Sequence, residues 1–284
     1  MSRFQRSLAL AKASWAVLSS DRSLALFPVY SALVSIALAV VLGLVGWATV
    51  GSETTASGST HYTANAMTYV IGILGYVGFA FVQTYFLAGL VASSNQVLDG
   101  GSTTVGQGLA VANARAGRLL PWAIVSATVS YIIQAVEQRA GFLGRIVVSL
   151  LGAAWSVLTF LTVPIIVFED AGPFRALKRS GTLLKQTWGE NLFAQLGFGL
   201  FALLPTLLAF GIGAVGIASN VTVFAIAAVV VAVVILVATS VIISALSGIY
   251  RTALYRYAVD GTVPGAFGGA DLEHAFGPRR RFGR

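Results

Sequence analysis

Few residues in this chain could act on a substrate. It holds two histidines, His61 and His274, and no cysteine. Without cysteine there is no thiolate zinc site, iron–sulfur cluster, disulfide or thiol nucleophile. HExxH, GxSxG and Walker-type lysine motifs are absent from the sequence as well. The best-motivated acidic pair is Glu169-Asp170, followed by Pro173, Arg175, Lys178 and Arg179. Two roles suit it. It could form a cation or substrate site, or its carboxylates could favour the start of the next helix and pair with Arg175, Lys178 or Arg179. Gly211-Ile212-Gly213-Ala214-Val215-Gly216 fits GxGxxG. A nucleotide-binding copy joins a strand to a helix, whereas this one ends an apolar stretch, so close packing or helix termination is expected.

The elements that must position these residues are apolar. Of 284 residues, 57% are hydrophobic and 10% charged, against about a quarter charged in a soluble domain. Mean hydropathy is +0.84. These values exclude a soluble enzyme, a disordered chain and a secreted disulfide scaffold. They predict an all-α, multi-pass membrane protein. A spanning helix needs about 20 mostly apolar residues. Six stretches qualify, near 24–50, 66–92, 119–136, 146–168, 192–215 and 221–249, and none contains an ionisable side chain. The first is too long for the roughly 7–15-residue apolar core of a cleavable signal and is expected to be retained.

The net charge is +8. In a membrane chain this excess sets orientation and meets anionic lipid, and nucleic acid is not expected as a partner. If the N-terminus is cytoplasmic, sixteen of the 18 Lys and Arg fall on the inner side, and only Arg139 and Arg145 fall outside. Both termini are therefore expected in the cytoplasm, with the chain in the cell membrane. That topology puts His61 and His274 on opposite sides, where they share no metal ion.

A short amphipathic helix is predicted before each odd-numbered stretch. Phe4, Leu8, Ala11, Trp15 and Leu18 fall on one line at roughly 100° per residue, with Arg3, Arg6 and Lys12 off it. Val105, Leu109, Ala112, Ala116 and Leu119 repeat the spacing, as do Leu177, Gly181, Leu184 and Trp188. The first and third copies also share residues: Arg6, Ser7, Leu10, Lys12 and Trp15 align with Arg179, Ser180, Leu183, Lys185 and Trp188. Each pair of stretches ends in an acidic turn, at Asp99, at Glu169-Asp170 and at Asp260. The predicted organisation is one membrane domain, 1–261, made of units 1–100, 101–172 and 173–261, with a flexible basic tail at 262–284. Trp15, Trp188, Arg6, Lys12, Arg179 and Lys185 are the candidate membrane-interface residues, with the indoles near headgroup depth. For the middle copy, the interface and packing on the bundle are equally open. Arg279, Arg280, Arg281 and Arg284 make the tail a candidate ligand for anionic lipid.

These motifs carry a resemblance. The chain resembles a family of prokaryotic six-helix integral membrane proteins with no assigned activity. The matching residues are Arg6-Ser7 with Trp15 and Leu18, then Leu24-Ala25-Leu26-Phe27-Pro28. They continue with Val163-Pro164-Ile165-Ile166-Val167-Phe168-Glu169-Asp170, Ala176-Leu177-Lys178-Arg179-Ser180 and Thr187-Trp188-Gly189-Glu190-Asn191. More distantly it is similar to the membrane domain of some glycerophosphodiester phosphodiesterases. The resemblance implies architecture and location, not chemistry.

Within the spans Gln83 is the deepest large polar group, and an intramembrane charge of the kind that marks transport pathways is absent from the six stretches. Ala80, Thr84 and Ala88, and likewise Ser240, Ser244 and Gly248, recur as small residues that predict close helix contact. Pro205 is expected to kink the fifth span. No cofactor or metal is expected, and no catalytic residue. The first functional expectation is a non-enzymatic protein that organises membrane, binding lipid, a membrane-protein partner or a second copy of itself. The second is a transporter or channel for a neutral or amphiphilic solute. A hydrated cavity lined by Gln83 or Thr206 would favour transport, and a filled bundle the first reading.

Overall fold

The computed structural model describes residues 3–49, 51–54, 60–63, 65–188, 198–219 and 221–270. Its helices are α1 (Arg3–Ser20), α2 (Leu26–Thr49), α3 (Ala66–Leu98), α4 (Val105–Ala114), α5 (Ala116–Arg139), α6 (Phe142–Leu158), α7 (Thr162–Glu169), α8 (Pro173–Trp188), α9 (Phe198–Ala218) and α10 (Thr222–Asp260). A 3-10 turn at Arg22–Ala25 leads into α2, and another at Gly265–Ala270 follows α10.

Five runs among the described residues are long and apolar enough to cross a membrane: Arg22–Thr49, Ala66–Leu98, Ala116–Arg139, Phe142–Glu169 and Thr222–Asp260. The remaining predicted stretch, 192–215, is described only from α9 onward, and 189–197 lies outside the described residues. Large apolar side chains such as Leu33, Ile36, Val40 and Leu44 on α2, and Val229, Val230, Val233 and Val234 on α10, stand exposed along these helices. An exposed apolar band of that extent belongs in hydrocarbon.

The all-helical expectation needs one addition. Between α2 and α3, β1 (Gly51–Thr54) and β2 (Thr60–Thr63) pair antiparallel, with Gly51 opposite Thr63 and Thr54 opposite Thr60. Both strands are short and largely polar, and the paired Thr54 and Thr60, with Tyr62 and Thr63, are residue types that suit a pleated ribbon.

The fourth stretch is broken where one helix was expected. α6 stops at Leu158 and α7 starts at Thr162. Pro164 explains the break, because its ring cannot sit one turn beyond the Phe160 carbonyl in a continuous helix. Side-chain hydroxyls also loosen the preceding turns. Ser156 Oγ donates to Gly152 O at 2.9 Å, and Thr159 Oγ1 to Trp155 O at 2.9 Å. The break frees the Leu158 carbonyl, and Ser180 Oγ on α8 donates to it at 2.6 Å. The kink and the docking of α8 are thus one feature.

Buried packing is concentrated at one end of the bundle. It includes Leu24 and Phe27 at the start of α2, Leu90 and Val91 late in α3, Leu119 in α5, Ile165 and Ile166 in α7, and Ile249 and Leu254 late in α10. α1 rests on α10 and the closing turn, α4 on α3, and α8 on α7 and α5. Glycine permits the tightest contacts. A Cβ at Gly108 of α4 would strike Ser93 Oγ, Phe27 Cζ and the Gly89 carbonyl, and one at Gly216 of α9 would strike Ala228 of α10. Of the GxGxxG match, Gly216 is therefore the packing residue between α9 and α10, whereas a Cβ at Gly211 would meet open space.

Candidate ligand cleft at the charged end of the bundle

α3 and α10 approach closely at one level and separate at the next. At Gly248 a side chain would collide with Leu90 and touch Leu87, and Thr252 Oγ1 donates to Gly248 O at 3.0 Å within α10. One to two turns further along, the small residues Thr84, Ser244 and Ser240 have no bulk to fill the space. A cleft of about 430 Å³ opens there between α2, α3 and α10, within the roughly 300–1,000 Å³ of small-ligand pockets.

The cleft has a polar seam and apolar walls. α10 supplies Ser240, Ser244, Ser247 and Arg251, spaced four, three and four residues apart, so they share a strip of about 60° on the helix surface. α3 adds Gln83 and Thr84, and α2 adds Ser31. Leu87, Leu90, Ile243 and Pro28 are among the apolar residues of the lining. Gln83 Nε2 donates to Ser35 Oγ at 3.3 Å, tying α3 to α2. Ser31 Oγ is buried with no hydrogen-bond partner. Gln83, Ser240 and Ser244 are exposed in mid-helix, so the cleft is open at the side of the bundle.

Arg251 closes the end nearest the buried core. Its guanidinium carbon stands 4.6 Å from the centroid of the Phe160 ring, in the break between α6 and α7, a cation–π arrangement. Its Nε is buried without a partner. Among the described residues the ion pairs engage Arg115, Arg118, Arg179 and Arg256, and none engages Arg251.

Three carboxylates of this end, Asp99, Glu169 and Asp170, are committed to other arginines. Asp170 takes a left-handed conformation (φ 50°) after α7. It meets Arg115 Nη1 at 2.8 Å and Arg118 Nε at 2.7 Å. Arg115 Nε also donates to the Val167 carbonyl at 3.2 Å, satisfying a last-turn acceptor of α7. Glu169 pairs with Arg179 at 3.3 Å and accepts from Tyr255 Oη at 3.2 Å. Tyr255 stacks on Phe168, and Asp99 pairs with Arg256 at 2.6 Å. The acidic pair thus ties α7 to α5, α8 and α10. Pairing with Arg179 matches the sequence expectation. The partners of the Asp170 carboxylate, Arg115 and Arg118, do not. Among the described residues no group of His, Cys, Asp and Glu could hold a metal ion.

Asp21 joins the start of the first helix pair to the segment before α4. Its carboxylate accepts from the Ser23 amide at 2.9 Å and the Thr103 amide at 3.0 Å. Burial pushes its pKa up, but the hydrogen bonds from Ser23 and Thr103 outweigh that and hold it below the usual aspartate value.

The predicted interface residues do not gather at the cleft. Trp15 is 51% exposed, and Lys12 and Lys185 are exposed too. The buried face of α1 is Leu10, Ala13, Ser14, Val17 and Leu18, roughly a third of a turn from Trp15. α8 likewise buries Ala176, Ser180, Leu183 and Leu184. The middle copy turns Gly108 and Ala112 inward, which is packing on the bundle. The structure describes Arg6 and Trp188 by backbone alone, and Arg279, Arg280, Arg281 and Arg284 lie outside the described residues. Arg251 was legible only as an inner-side flank, yet it continues the Ser240-Ser244-Ser247 spacing, and that was the available signal.

No curated protein matches the chain, and no solved structure does. Residues 66–265, from the first residue of α3 to the turn after α10, match a family of unknown function, and the chain belongs to that family, DUF6159.

Proposed function

We propose that this chain is a non-enzymatic, multi-pass protein of the cell membrane that binds lipid and organises the bilayer or a partner around it. In this reading 192–215 supplies a sixth span, both termini are cytoplasmic, and α1, α4 and α8 are the connectors of a threefold repeat. The observation that carries the reading is the cleft: a side-open, largely apolar space with hydroxyls along one wall and a cation at one end. Such a lining suits an amphiphile better than an ion or a sugar.

Transport of an amphiphilic solute is the second reading, and Gln83 in the lining favours it. The extent of the cleft counts against it. Its α10 lining runs from Val237 to Arg251, roughly 20 Å along the axis, nearer one leaflet than the about 30 Å of hydrocarbon. Thr206 of α9 does not line it. A protein that holds a lipid needs one leaflet, whereas a pathway needs both.

The interfacial role of α1 has its own test. Trp15 projects beside the face that packs on α10, with Lys12 close by on the next turn. Depth-dependent quenching in bilayers, with Trp47, Trp122, Trp155 and Trp188 replaced by phenylalanine, should place the Trp15 indole at headgroup depth. An indole quenched only by water-soluble agents would make α1 a cytoplasmic link.

A further inference from the structure

The geometry points to Arg251 as the receptor for the anionic head of one acylated lipid, whose tail lies in the α2–α3–α10 cleft. This rests on the membrane reading above. Arg251 is the cation at the end of the cleft, and among the described residues the Asp99, Glu169 and Asp170 carboxylates pair with Arg256, Arg179, Arg115 and Arg118, none of them with Arg251. A guanidinium placed against an aromatic ring, its Nε buried and unpartnered, lacks the anion its geometry suits; phosphate and carboxylate oxygens accept such donors in pairs. The end it occupies also holds Pro28 and Leu90, near the start of α2 and late in α3, where the charged connectors gather and a headgroup would lie. Ser31, with its buried unpartnered hydroxyl, and Ser247 sit beside this end and can donate to the ester or hydroxyl oxygens of a lipid neck. Beyond them Leu87 and Ile243 offer an apolar wall to a chain.

The test uses the full chain in neutral detergent, with phosphatidylglycerol and phosphatidylcholine carrying the same fluorescent acyl chain, and inorganic phosphate as competitor. The wild type should bind phosphatidylglycerol about tenfold more tightly than phosphatidylcholine. Inorganic phosphate should not displace the lipid. R251Q should abolish the headgroup preference, and R251K should keep part of it. S244L, which fills the cleft, should weaken both lipids and leave their ratio unchanged. If R251Q does not yield a monodisperse protein, R251K and S244L carry the test. Equal affinity of the wild type for both lipids, displacement by phosphate, or unaltered binding by S244L overturns the proposal. Carbonate washing of membranes separates the two levels: a chain that washes off refutes the membrane reading, whereas a retained chain whose R251Q form keeps the preference refutes only this inference.

Discussion

Asp21 shows how much a single side chain at the junction of connectors contributes. It takes two backbone amides from segments some eighty residues apart, Ser23 and Thr103, and so fixes the start of α2 against the approach to α4. Asp21→Ala should lower stability by about 1 kcal/mol at neutral pH, the usual cost of losing such a cap. Because the folded carboxyl is held below its unfolded value near 3.9, this contribution is present above about pH 4. It is lost as pH falls through the lower, folded pKa. Thermal unfolding of the two forms in detergent should therefore differ at pH 7 and converge under strong acid. A difference that persists unchanged at acid pH would show that the carboxylate charge is not the cause. The ion pairs of Glu169 and Asp170 are partly exposed, and each is worth at most about 1 kcal/mol.

At the scale of elements, the break between α6 and α7 is the most informative feature. Pro164 stops the helix, and the freed Leu158 carbonyl is taken by Ser180 from α8. Ser180→Ala should remove that donor and cost about 1 kcal/mol, since a half-buried carbonyl loses its partner. Ser180→Thr, which keeps the hydroxyl, should cost less. Comparing the melting of both variants with wild type checks this, and equal behaviour of alanine and threonine would mean the bond is not made. The α6–α7 break was written in the sequence at Pro164 but reads as an ordinary apolar run if only hydropathy is followed. The Glu169–Arg179 pair was legible because ten residues and one turn separate its partners. Asp170 with Arg115 and Arg118 was not, because no local spacing links segments more than fifty residues apart. The small-residue strips of α3 and α10 were legible as contact surfaces. Whether a neighbour fills the gap they leave depends on the paths of three helices, so Gly248 became a contact while Ser240 and Ser244 became a cleft wall.

For the whole molecule, the buried core and the charged connectors share one end, and the far halves of α2, α3 and α10 present apolar side chains outward. That division of labour was visible in the composition: apolar stretches without charges, separated by basic segments. The count of crossings depends on 192–215. Reporter fusions at Ser57 and Gly268 decide it, because six crossings put them on opposite sides of the membrane and five put them on the same side. Opposite sides are expected.

The central claim is that the α2–α3–α10 cleft holds a lipid. Mass spectrometry of the purified full chain, kept intact in detergent and washed free of loose lipid, tests it most directly. The expected result is one retained lipid per chain, enriched in anionic headgroups over the source membrane and lost from R251Q. A lipid-free chain, or retained lipids with the headgroup composition of the bulk membrane, would contradict it.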